Sequence, residues 1–143
     1  MKILTLSEAT RKIEEEYPKL DFKIIKQFSS KGAQKRTYNT FLLDTSLFNI
    51  IIAKSFVTNP ETLVVEWNIL KQLNTENKNA PRLIYPNQSP DQFMLMEYID
   101  SEDAATMLEK NPNDLHIFEL VGTCLGKLHT TPTKCFVNTV NKN

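Results

Sequence analysis

Apolar residues recur along this chain with periods that switch between helix and strand. Ala9, Ile13 and Tyr17 are spaced i, i+4, i+8, the repeat of one helix face. Ser7 is the expected N-cap of that helix, through roughly Glu16, and Pro18 its stop. From Asp21 to Phe28 the apolar positions Phe22, Ile24 and Phe28 alternate weakly and predict a first strand. A polar loop, Ser29 to Lys35, carries Gly32, one of only three glycines. Arg36 to Asp44 is the expected antiparallel return, and Thr45 to Leu47 turns into a third strand, Phe48 to Phe56. Asn59 as N-cap and Pro60 in the first turn open a helix to about Leu73. Pro81 to Tyr85 reads as a short fourth strand, Pro86 to Asp91 as a turn, and Gln92 to Ile99 as a fifth strand. The order helix, three strands, helix, two strands predicts an α+β fold: a five-stranded antiparallel sheet with a covering helix.

After Tyr98 the pattern becomes helical. Asp100 to Asp103 is an acidic connector, Ala104 to Glu109 a short helix, and Asn113 or Asp114 caps a longer helix through His129. Phe118, Val121, Leu125 and Leu128 share one face of that helix. Gly122 and Gly126 sit inside it at i, i+4, although each glycine costs about 1 kcal/mol against alanine in a helix. That spacing predicts close packing against another element. Pro132 ends the helix, and the last ten or so residues are polar.

Two charges break the apolar pattern. At about 100° per residue, Leu63, Trp67, Leu70, Leu73 and Ile69 form one arc, and Glu66 projects into its middle. Lys54 follows Ile50 and Ile52 at period two and shares their strand face. Either charge alone would be satisfied by snorkelling to solvent. Two opposite charges misplaced on a strand and on the next helix are most simply partners. Removing one member of a buried pair costs roughly 3–5 kcal/mol.

Composition narrows the classes. A chain of 143 residues with 41% hydrophobic and 24% charged content fits one globular domain. Seventeen basic and seventeen acidic residues leave no net charge, so neither nucleic acid nor an anionic membrane is an expected partner. No apolar run reaches spanning length, and the N-terminus lacks a secretory apolar core. Cys124 and Cys135, without a CxxC or nearby histidine pattern, predict neither a metal site nor a disulfide scaffold and suit a reducing, cytoplasmic setting. Glu14 to Glu16 is expected to be a solvated face. His116 and His129 are expected to be a first-turn and a helix-end residue without catalytic roles.

The segments SSKGAQKRTYNTFLL, IIIAKSF, VVEWNILKQL, FMLMEYID and LVGTCLGKLHTTP together resemble the N-terminal lobe of a protein-kinase-like fold. The likeness is strongest to the aminoglycoside phosphotransferase and choline kinase branch and covers roughly residues 22–129. It implies an ATP-binding lobe at 1–99 and, at 100–143, a hinge connector with the first one or two helices of a truncated C-terminal lobe. It further implies that backbone N–H groups around Ser29, Ser30, Gly32 and Ala33 cradle phosphate oxygens. Lys54 would neutralise the α- and β-phosphates, with Glu66 holding it in place. Ile52 would roof the adenine and Met96 line the back of its pocket. The Glu97 carbonyl and the Ile99 N–H would read the adenine edge.

The same resemblance implies what is lacking. Family members continue into a catalytic loop with a base Asp and metal-binding Asn, then a second metal-binding Asp. No His-Gly-Asp, His-Arg-Asp or Asp-Phe-Gly occurs here, so no catalytic residue and no metal ligand is expected. Magnesium would enter only with a supplied second lobe. The leading expectation is therefore the ATP-binding part of a small-molecule phosphotransferase, inactive alone, with a nucleotide and a C-lobe chain or other protein as partners. A kinase-derived, non-catalytic interaction module is the alternative, and an unrelated α+β domain the third reading.

Overall fold

The computed structural model describes residues 3–28, 38–56, 61–101 and 104–130. Helix α1 spans Leu6–Glu16, and its N-cap is Thr5, two residues before the expected Ser7. The Thr5 hydroxyl accepts the Glu8 N–H at 3.2 Å, and the Glu8 carboxylate accepts the Thr5 N–H at 2.9 Å. Thr5-x-x-Glu8 is a capping box, which satisfies two orphan donors reciprocally, and Ser7 has no comparable partner three residues on. Ala9, Ile13 and Tyr17 are buried, as their spacing predicts.

Four strands follow: β1 (Phe22–Phe28), β2 (Tyr38–Thr45), β3 (Asn49–Phe56) and β4 (Met94–Glu97). They form one antiparallel sheet in the order β1-β2-β3-β4. The weak alternation of β1 has a cause: the register with β2 shifts between Ile24 and Lys26, leaving Ile25 without a partner and exposed. A β-bulge of this kind offsets the inside-outside pattern by one residue.

The two faces of the sheet have different covers. Phe41, Leu43, Ile51, Ala53 and Leu95 point to the face packed by Ala9 and Ile13 of α1 and by Tyr17 at its C-cap. Helix α2, Glu61–Thr75, packs Leu63, Trp67 and Leu70 on the other face, against Ile52, Phe56, Met94 and Met96. The expected cap residues Asn59 and Pro60 lie outside the described residues.

The expected fourth strand, Pro81 to Tyr85, does not form, so the sheet has four strands and not five. Leu83 makes one isolated bridge to Met96, flanked by Ile84 N–H to Leu95 C=O at 3.0 Å and Glu97 N–H to Arg82 C=O at 2.8 Å. A longer ladder is blocked on three counts. Pro81 has no N–H to give. The Arg82 N–H, which a ladder would give to the Glu97 carbonyl, goes instead to the Glu97 carboxylate at 3.0 Å. Tyr85 turns into the left-handed region at φ 56°. The other strand here, expected over Gln92 to Ile99, is shortened to Met94–Glu97, so Ile99 lies beyond the sheet.

Glu16 corrects a second expectation. It is not a solvated residue but half-buried, and its carboxylate accepts the N–H groups of Asp91, Gln92 and Phe93 at 2.7, 3.1 and 2.8 Å. Tyr17 donates its hydroxyl to the Phe93 carbonyl at 2.6 Å. Together they tie the end of α1 to the segment entering β4. Burial pushes the Glu16 carboxyl above its ordinary range, outweighing the three hydrogen bonds that pull it down. Burial likewise pushes the Tyr17 phenol upward.

Helices α3, Ala104–Lys110, and α4, Leu115–His129, contact each other. Asp114 caps α4 by accepting the His116 N–H at 3.0 Å. Ile117 is buried, whereas Leu115, Phe118, Leu120, Val121 and Leu125 are exposed. The expected tight packing at Gly122 and Gly126 is absent among the described residues: a Cβ at either position would meet nothing within 4 Å. Of the described helices, none is long and apolar enough to cross a membrane.

Candidate functional site

Strand β3 places Lys54 on the α2 side of the sheet because side chains alternate at period two. Its inward neighbours Ala53 and Ser55 are buried on the α1 side. Helix α2 places Glu66 one residue before buried Trp67, between Leu70 and Leu73 within its apolar stripe. The two side chains meet: Lys54 Nζ donates to Glu66 Oε1 at 2.8 Å and to Oε2 at 3.1 Å. The ends are shielded but not sealed, with side-chain exposures of 20% and 30%. The ammonium also lies 5.2 Å from the Phe56 ring centre, within cation–π reach.

A carboxylate straddling one ammonium fixes the rotamers of a flexible lysine, so the charge is held at one place on the sheet. The pair keeps partial contact with solvent.

The sheet register sets the neighbours. Lys54 stands opposite Thr40 on β2 and Met94 on β4, and Ile52 opposite Leu42 and Met96. Ile52, Lys54, Met94 and Met96 therefore share the face under α2, and Met96 is buried there. Glu97, at the end of β4, is exposed; its N–H is used by Arg82, and its carboxylate accepts the Arg82 N–H at 3.0 Å. Ile99 is exposed, and its N–H makes no hydrogen bond among the described residues. The structure thus brings Ile52, Lys54, Glu66 and Met96 together and leaves Glu97 and Ile99 at the adjoining strand end. Ser29, Ser30, Gly32 and Ala33 lie outside the described residues.

Two neighbours of the pair were not legible beforehand. Met94 is buried directly across from Lys54. Thr40, on the other side, has a buried hydroxyl with no hydrogen-bond partner among the described residues. Only the strand register identifies them, and no short turn sequence specifies that register here. Among the described residues, no group of three or more His, Cys, Asp or Glu is placed to hold a metal ion. No known protein family, curated protein or solved structure matches this chain.

Proposed function

We propose that this chain is the nucleotide-binding part of a small-molecule phosphotransferase with a kinase-like N-terminal lobe. The observation that carries the reading is the Lys54–Glu66 pair, joined across strand and helix at 2.8 Å and 3.1 Å. In phosphoryl-transfer proteins of this type a strand lysine held by a helical glutamate positions the nucleotide phosphates. Ile52 and Met96 on the same face supply an apolar bed for a base, and the unpaired Ile99 N–H beyond β4 supplies a donor for its edge. Backbone N–H groups around Ser29, Ser30, Gly32 and Ala33 complete the reading as the phosphate cradle.

The 143 residues contain no base or metal-ligand motif of the family, so the proposal covers ATP binding and not turnover. Magnesium belongs to a partner lobe. Calorimetry with ATP tests the reading: weak binding, at about 1 mM, is expected for the wild type and a several-fold loss for Lys54→Ala. Equal affinity in the two proteins refutes it.

One observation favours a second role, as a non-catalytic interaction module. The α4 face bearing Phe118, Val121 and Leu125 is open, and contiguous exposed apolar surface marks interaction sites. The two roles are compatible, since a docked partner would sit on α4 and not on the sheet.

A further inference from the structure

A groove of about 650 Å³ lies away from the ion pair, where α2 ends and the chain returns toward β4. Neither Lys54 nor Glu66 lines it. Its frame is held by two devices. Helix α2 closes in a Schellman turn, with Asn77 at φ 55°, Lys78 N–H donating to Leu73 C=O at 3.0 Å, and Asn77 N–H to Asn74 C=O at 3.2 Å. The Asn74 side chain then clasps the returning strand, donating to the Pro81 carbonyl at 3.0 Å and accepting the Leu83 N–H at 2.8 Å.

On this frame the groove gathers Lys71, Lys78 and Arg82, and no carboxylate lines it. None of the three is ion-paired among the described residues; Lys71 has only the Trp67 ring, 4.9 Å from its ammonium. The side chains of Asn77, Asn79 and Asn87 also line it and make no hydrogen bond among the described residues. Three cations without an ion-pair partner among the described residues line the groove beside these three amide side chains, in a chain of zero net charge. Three full charges outweigh the partial negative charge at the α2 C-terminus and form a site for negative charge. The volume is that of a small-molecule site, but the lining is polar, which selects a charged ligand over an apolar one.

We propose that this groove binds a compact, multiply charged oxyanion, namely a phosphorylated small molecule carrying at least two anionic groups. Lysines act as point charges toward phosphate, and Arg82 offers a planar fork that matches two of its oxygens. The balanced overall charge argues against a nucleic-acid track, which needs a basic stripe.

Inorganic tripolyphosphate is the probe, titrated calorimetrically into the full chain at low salt. The account expects binding at about 1 mM or tighter, weakened by added salt. The double variant Lys78→Ala/Arg82→Ala should bind about tenfold more weakly, with an unchanged circular dichroism spectrum because Arg82 is exposed, Lys78 only half-buried, and the side chain of neither is ion-paired among the described residues. Because a triphosphate would also suit the Lys54 site proposed above, the comparison is repeated in the Lys54→Ala background, where groove binding should persist and again fall about tenfold on adding Lys78→Ala/Arg82→Ala. Absence of binding at about 10 mM, equal affinity in the double variant, or loss only in Lys54→Ala would each overturn the proposal. So would groove-dependent binding of a single-stranded oligonucleotide without binding of tripolyphosphate.

Discussion

Replacing Lys54 with methionine keeps the side-chain bulk but leaves the Glu66 carboxylate half-shielded beside Trp67. The size of the effect follows from the observed exposure. Fully exposed pairs contribute about 0.2–1 kcal/mol, whereas orphaning a charge in a fully buried pair costs about 3–5 kcal/mol. With side chains 20% and 30% exposed and both carboxylate oxygens engaged, Lys54→Met should destabilise by about 1–2 kcal/mol, after allowing for solvent screening. Glu66→Leu orphans the lysine instead and should cost less, because a lysine stem can snorkel. The double variant should recover much of the loss, for a coupling energy of about 1 kcal/mol. Urea unfolding followed by Trp67, the single tryptophan and adjacent to Glu66, reads this directly. Lys54→Met should lower the midpoint by roughly 0.5–1 M. Strict additivity of the two single variants, with a coupling below about 0.3 kcal/mol, would show that the pair is a surface contact and not a structural link between sheet and helix.

Four further outcomes are expected. Asn39 is fully buried and accepts the Leu4 N–H at 3.0 Å, so Asn39→Leu should cost about 1–3 kcal/mol by orphaning that donor. Opposite it, Ser55 has a buried hydroxyl without a hydrogen-bond partner among the described residues, so Ser55→Ala should be neutral or slightly stabilising in the same unfolding assay. Glu16 has a folded-state pKa above its ordinary value of 4.5; the folded protein then holds that proton more tightly than the unfolded chain. Its contribution to stability is full below 4.5 and is lost as pH rises through the raised folded value. Glu16→Gln should therefore flatten the stability–pH curve in that window, and an unchanged slope would contradict the assignment. On α4, Phe118→Lys with Val121→Lys should reduce binding of an apolar dye while changing stability by no more than about 0.5 kcal/mol, since neither side chain is buried.

What could be read in advance depended on how local the deciding interaction is. Ala9, Ile13 and Tyr17 were legible because helical period alone puts them on one face. The Lys54–Glu66 pair was legible because each charge violated the pattern of its own element, and two violations of opposite sign explain each other. The N-cap was misassigned at Ser7 although the residues for Thr5 were present, because a capping box is recognised by its reciprocal partner Glu8 and not by the hydroxyl alone. The solvated reading of Glu16 failed for a different reason: its partners, the N–H groups of 91–93, are about 75 residues distant in sequence, and no local pattern encodes them. The same holds for the missing fourth strand, where the Glu97 carboxylate, 15 residues on, takes the Arg82 N–H that a ladder would need. Gly122 and Gly126 carried a packing expectation that nothing in the described fold meets.

The central claim is that the face holding Ile52, Lys54 and Met96 is a nucleotide site organised by the ion pair. Methyl NMR of the Ile52 δ1 and Met96 ε groups during an ATP titration tests it most directly. Saturable shifts of both methyls, with an apparent Kd at about 1 mM and abolished in Lys54→Met, are predicted. Methyls that stay still while ATP is added, or that shift equally in wild type and Lys54→Met, would contradict it.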